Sequence, residues 1–218
     1  MTPVYTRSFS LPPPDEAEVL RYAACRQADE HTLSLLRECI AEADGVIRPK
    51  VCWRVAQVSA DTDGCSVEHM RFDSRDLAKN LSGCSQVIIM GATRGTELDR
   101  LIARHGRLSP ARALLMDALG SERTEALCDT FCRSLCESDS LSLRPRFSPG
   151  YGDLALSAQR EIFELLDCQK NIGLYLTQSL LMTPCKSVTA FAGIGRGEEN
   201  HNKCSLCNNT DCLFRRSV

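Results

Sequence analysis

No apolar run in this 218-residue chain approaches the roughly 20 residues needed to cross a bilayer. The opening stretch MTPVYTRSFSLPPPDEAE has no basic segment followed by an apolar one, so no secretory leader is read and a cytoplasmic location is expected. Positive charge is not in excess either. Lys and Arg number 26 against 28 Asp and Glu, a net charge of −2, which argues against a nucleic-acid binder working through a broad basic surface. Familiar catalytic signatures are also missing. GATRGTE lacks the Gly-Lys-Ser/Thr ending of a P-loop, GIGRGE is not G-x-G-x-x-G and opens no helix, and no G-x-S-x-G elbow occurs. His31, His69 and His105 stand apart in polar surroundings and read as solvated surface.

Cysteine, by contrast, is abundant. Thirteen thiols in a long chain without an export signal do not describe a disulfide frame, and an odd number cannot pair fully. They imply a strongly reducing interior, and most read as small buried apolar residues. Cys128, Cys132 and Cys136 recur every four residues in EALCDTFCRSLCES and share one helix face, where packing is the expected use and metal binding the alternative.

Along the chain, EAEVLRYAACRQ after the LPPPD stop reads as a short helix with Val19, Tyr22 and Ala23 on one side. HTLSLLRECIAEAD reads as a second, with Leu33, Leu36, Cys39, Ile40 and Ala43 at helical spacing. Val51, Trp53 and Val55 then alternate as in a half-buried strand, and CSVEHMRF is expected to pair with it across DTDG. QVIIMG is a continuous apolar run, the mark of a strand covered on both faces. It leads into the helix ELDRLIARHG and a long helix from Pro110 to about Glu137, with a bend expected at Gly120 and Ser121. SAQREIFELLDCQKNIG predicts a helix with Ala158, Ile162, Leu165 and Leu166 inward and Gly173 as its stop. LYLTQSLLM and SVTAFAGIG are expected as strands joined in a hairpin by TPCK. The order lacks a clean βαβ repeat. It predicts an α+β fold over residues 1–194, a largely antiparallel or mixed sheet flanked by helices, with 195–218 as an appended Cys-rich tail.

Two constellations carry chemistry. Cys204, Cys207 and Cys212 have the form C-x2-C-x4-C, whose spacing suits zinc or an iron–sulfur cluster. His201 or Cys185 is a candidate fourth ligand, a non-protein ligand is another possibility, and a redox-active or disulfide use stays open. The second is RFSPGYGD, residues 146–153. Pro149-Gly150 forces a tight turn where a ligand can lie against backbone. Arg146 can grip a carboxylate bidentately, and Tyr151 offers a ring face and a hydroxyl. A helix-leading turn with a surface arginine is the plainer reading of the same residues.

The run from LRPRFSPGYGDLALSAQREIFELLD through NIGLYLTQSLLMTPCKSVTAFAGI resembles the activation domain of cobalamin-dependent methionine synthase. That domain carries R-x-x-x-G-Y, matched by Arg146, Gly150 and Tyr151, then a helix, an L-T-E-S strand, a proline turn and an S-V-S/T strand in the same order. LRYAACR, VIIMGATRGTELDRLI and ALGSERTEALCD are similar to short standalone members of the family. The resemblance implies S-adenosylmethionine as ligand, with Arg146 on its carboxylate, Tyr151 lining the methyl-donor pocket, and Glu125 accepting from its amino group or ribose. L-T-E-S is L-T-Q-S here, so Gln178 removes a charge, and the acidic residue that the long form supplies from its N-terminal part has no match.

DEHTLS lacks the glycine of the D-x-H-x-x-G loop that ligates cobalamin, so the corrinoid is expected on another chain. The implied function is reactivation, in which a methyl group from S-adenosylmethionine traps the reduced cobalt of a partner. That partner is expected to be a methionine synthase lacking its own activation domain, or another corrinoid protein, with a reductant and with neither nucleic acid nor membrane. The alternative is a metal-stabilised docking or regulatory module without a methyl donor; a small iron–sulfur electron carrier is a third reading.

Overall fold

The computed structural model describes residues 2–139 and 141–195. The first strand, β1 (Tyr5–Ser8), precedes two helices, α1 (Glu16–Tyr22) and α2 (Glu30–Asp44). Strands β2 (Lys50–Ala60), β3 (Cys65–Val67) and β4 (Met70–Phe72) lead through α3 (Arg75–Asn80) to β5 (Gln86–Thr93). Then come α4 (Glu97–Leu108), α5 (Pro110–Asp139), α6 (Gln159–Leu166) and α7 (Cys168–Ile172). The described chain closes with β6 (Tyr175–Leu176), β7 (Met182–Thr183) and β8 (Ser187–Ile194).

The sheet runs β4-β3-β2-β5-β8, with β1 also paired to β2, and every ladder is antiparallel. The α+β expectation is met. Period-two alternation sorts the central strands between two cores. Val51, Ile88, Met90, Ala92, Ala190 and Ala192 meet α5 through Leu127, Cys128, Phe131 and Leu135. Cys52, Ala56, Val87, Ile89 and Phe191 face the opposite way, onto α3, α6 and α7. Helix α5 thus covers one face of the sheet and three shorter helices cover the other. A third core joins α1, α2 and α4 to the N-terminal part of α5 through Val19, Leu36, Cys39, Leu98 and Leu119.

Several local expectations need correction. Strand β2 is covered on both faces rather than half-buried, since Cys52, Ala56 and Val58 are buried as well as Val51. Helix α5 runs unbroken through Gly120 and Ser121. Gly120 makes room instead: a Cβ there would lie 3.1 Å from the fully buried guanidinium of Arg94, which pairs with Asp99 at 2.7 Å. LYLTQSLLM is not one strand. Its ends form the small hairpin β6–β7, and TPCK leads on to β8, which pairs with β5. The helix over 156–172 is interrupted at Asp167, where φ is +43°, although Gly173 at +69° stops it as expected. His105 is not solvated: it is buried, and its Nε2 lies 3.0 Å from both carboxylate oxygens of Glu42.

The thiols behave as apolar groups. Six of the ten described cysteines are buried, and burial pushes Cys65 up to about 11 and Cys128 up to about 12. On the α5 stripe Cys128 is fully buried while Cys132 and Cys136 are half-buried, which supports packing. Among the described residues no cluster of His, Cys, Asp or Glu has the geometry to hold a metal ion, and no helix is long and apolar enough to cross a membrane. Cys204, Cys207, Cys212 and His201 lie outside the described residues.

Candidate functional site

The stretch 146–153 is fastened at both ends. On one side Phe147 bridges Phe191 of β8, its N–H donating to the Phe191 carbonyl and its carbonyl accepting from the Phe191 N–H, each at 2.8 Å. Between the anchors the chain doubles back. Gly150 has φ +88°, reached without strain only by glycine, and its N–H donates to the Leu154 carbonyl at 2.9 Å. The Tyr151 N–H donates to the Ser148 carbonyl at 3.1 Å.

The other anchor is Asp153, which sequence reasoning passed over. Its carboxylate accepts the Ser74 hydroxyl and the backbone N–H groups of Arg75 at 2.8 Å and Asp76 at 3.2 Å, capping the start of α3. The Ser74 hydroxyl bond, with the backbone donors, holds the Asp153 carboxyl below the usual range. A depressed carboxyl stabilises the fold above the unfolded value of about 3.9 and loses that contribution as pH falls through the folded value. Asp153→Asn should therefore lower stability at neutral pH and flatten its decline between roughly pH 5 and pH 3 relative to wild type, as read by denaturant midpoints across that range.

Arg146 turns from this bend onto α5. Its Nη2 donates to Glu125 Oε2 at 3.0 Å and its Nη1 to Asp129 Oδ1 at 2.7 Å, with Cys132 Sγ at 3.8 Å. Residues 125, 129 and 132 lie one turn apart, so the guanidinium crosses a single helical stripe. Its side chain is 14% exposed, against 38% for Glu125 and 49% for Asp129, so the carboxylates reach toward solvent from a sequestered cation. The structure therefore brings Arg146 and Glu125 together and adds Asp129, which i,i+4 spacing from Glu125 could have flagged. It does not show Arg146 as a free grip. The guanidinium already has two carboxylates, and the three groups carry one negative charge in excess. Gly150 provides the bend, and Tyr151 stands 60% exposed beside it. Gln178 is exposed in the β6–β7 turn, where its main-chain carbonyl accepts from Arg160 at 3.1 Å.

A cleft of about 710 Å³ opens elsewhere, between the C-terminal half of β2 and α3, and its lining includes Asp61, Arg75, Lys79 and Cys84. Arg146, Glu125, Gly150 and Tyr151 do not line it.

With this geometry in hand, the resemblance read from the sequence is borne out. The family model described as "Vitamin B12 dependent methionine synthase, activation domain" matches residues 134–201, a span that contains Arg146, Gly150 and Tyr151 but neither Glu125 nor the three tail cysteines. No curated relative matches the sequence. Among solved structures the fold is similar to the crystal structure of the MetH reactivation domain bound to AdoHcy, with a TM-score of 0.67. That likeness covers 92% of this chain and 81% of the other at 15% sequence identity, and it shows the fold.

Proposed function

We propose that this chain binds S-adenosylmethionine against the Arg146–Tyr151 turn and supplies its methyl group to the reduced cobalt of a corrinoid held by a partner chain. The observation that carries the reading is the charge count at the turn. Glu125 and Asp129 outnumber Arg146 by one negative charge. The ligand carries a sulfonium, an ammonium and one carboxylate, a net charge of +1. Its carboxylate replaces one acidic partner on Arg146, and the released side chain accepts from the ammonium, so every charged hydrogen bond is exchanged rather than lost. Gly150 lets the ligand lie against backbone, and Tyr151 presents a ring face to the sulfonium. The family match over this turn and the AdoHcy-bound structure with the same fold support the reading.

The chain's own part is positional. It holds the donor methyl where a corrin face can reach it, while the partner supplies the corrinoid. Recovery of an oxidised corrinoid takes one electron and one methyl group. The electron comes from a reductant; the methyl cation leaves the sulfonium as its S–C bond breaks and the Co–C bond forms, releasing S-adenosylhomocysteine. The partner is a methionine synthase without its own activation domain, or another corrinoid protein. Cys204, Cys207 and Cys212 supply three thiolates to a metal centre, a donor set that fits zinc or an iron–sulfur cluster, and a cluster bound there would relay the electron.

A second reading is favoured by the paired state of Arg146 and by Gln178: a docking module that kept the fold without the donor. Calorimetric titration of the full chain with S-adenosylmethionine separates the two. Saturable binding of one equivalent is expected, and no binding would favour the docking module.

A further inference from the structure

Strand β2 outruns its neighbour. Its pairing with β5 ends at Gln57 opposite Gln86, yet the strand continues to Ala60 by pairing with β3 on its other side. One main-chain bond lies past the end of that ladder, from the Val58 N–H to the Ser85 carbonyl at 3.0 Å. Antiparallel alternation turns the N–H and carbonyl of Ala60 to the same side as those of Val58, and there they meet no hydrogen-bond partner among the described residues. Helix α3 and the loop after it form the opposite wall, and the gap between is the cleft of about 710 Å³. We propose that this cleft is a binding site for a phosphorylated, hydroxyl-rich small molecule, a sugar phosphate in chemical class.

Two cations face the cleft. Arg75 and Lys79 are four residues apart on α3, one turn along one side of the helix, so their head groups can reach a single tetrahedral anion. Neither is firmly committed elsewhere. Lys79 has no ion pair among the described residues, and Arg75 pairs only with Asp63, at 3.3 Å with side chains 76% and 70% exposed. A pair so open to water is worth little and yields to a bound phosphate. The one acid in the lining, Asp61, is already neutralised. Its carboxylate accepts two bonds from Arg71, at 2.6 and 3.0 Å, and two more from the main-chain N–H groups of Asp63 and Gly64. In a chain with a net charge of −2, the cleft is a local excess of positive charge.

A phosphate fills only part of a space that lies in the ordinary range for small-molecule sites, about 300–1,000 Å³. The rest of the lining selects the body attached to it. Ser59, Thr62, Ser82 and Ser85 bring hydroxyls, each able to donate and to accept, and Ala60 adds its free main-chain donor and acceptor. No Phe, Tyr or Trp lines the cleft to stack on a base, which disfavours a nucleotide. Hydrogen-bonding walls around a two-cation end match a phosphate ester of a polyhydroxylated body.

The cleft is separate from the donor turn but shares a helix with it. Asp153 caps the first residues of α3. At the other end Asn80 Nδ2 donates to the Pro145 carbonyl at 3.2 Å, and Arg144 Nη2 donates to the Ser82 carbonyl at 3.1 Å. Arg75 and Lys79 therefore project from an element that the motif segment fastens at both ends. An occupant meets cations whose backbone is already in place, which lowers the ordering cost of binding.

The test is calorimetric titration of the full chain with ribose 5-phosphate, and with ribose and inorganic phosphate as its two halves. One equivalent of ribose 5-phosphate should bind saturably, about tenfold or more tightly than either half. Lys79→Gln and Arg75→Gln, both at exposed positions, should each weaken it roughly tenfold or more through loss of a charge-assisted bond. Arg146→Ala should bind it as wild type does, so the result stands whether or not the donor turn takes S-adenosylmethionine. Absence of binding would overturn the proposal. So would inorganic phosphate that binds as tightly as the ester, affinity unchanged in both charge variants, or a loss in Arg146→Ala that moves the probe to the donor turn.

Discussion

Arg146→Ala should abolish S-adenosylmethionine binding in a calorimetric titration while the protein stays folded. Removing one partner of a hydrogen-bonded charge pair costs about 2–5 kcal/mol, and each 1.4 kcal/mol is a factor of ten, so affinity should fall roughly 30-fold or more. Folding should survive because Glu125 and Asp129, 38% and 49% exposed, can return to solvent when the guanidinium is gone. Lysine at the same position should not restore affinity, because a single ammonium cannot make the forked contact. An Arg146→Ala chain that binds as tightly as wild type would remove the turn from the site.

Phe131→Ala should produce the largest loss of stability. Phe131 is fully buried on α5, 5.1 Å from the Trp53 ring and 6.1 Å from the Phe9 ring, centroid to centroid. It fixes the C-terminal half of the helix to the sheet, and that half carries Glu125 and Asp129. Truncating such a ring costs about 3–5 kcal/mol through lost burial and the cavity left behind. For a chain of this length that lowers the melting temperature by roughly 6–20 °C. S-adenosylmethionine should bind more weakly as well, since Asp129 and Arg146 would no longer be held in register. A melting point within about 2 °C of wild type would mean that the α5–sheet core is not what supports the site.

Much of the fold was legible because its signals are local. The alternation in KVCWRVAQV and the apolar run QVIIMG belong to two of the three longest strands, and helical spacing in α1, α2 and α5 matched the cores they fill. The coverage of β2 on its second face was not legible, because Cys52 and Ala56 are small and carry little apolar signal. Strand β1 escaped for another reason. Its four residues are all exposed and are paired only through β2, more than forty positions away. The β6–β7 hairpin has two residues per strand, too few for any periodicity.

The site was legible in part. Arg146, Gly150 and Tyr151 stand together in sequence, and Glu125 came from resemblance. Asp129 escaped because an acidic residue on a helix ordinarily reads as solvated. Asp153 escaped because its partners lie 77 to 79 positions away, beyond any local pattern. His105 was misread for the same reason, with Glu42 63 positions distant. Long-range polar pairing leaves no periodic trace, whereas apolar packing does.

Methyl transfer to the partner's cobalt is the most direct test. Under anaerobic conditions the full chain is mixed with a methionine synthase that lacks its own activation domain and has been oxidised to cob(II)alamin, together with a reductant and S-adenosylmethionine carrying a labelled methyl group. Labelled methylcobalamin should form only when this chain is present, with S-adenosylhomocysteine released in equal amount. A corrinoid that stays unmethylated while the chain demonstrably holds the donor would contradict it.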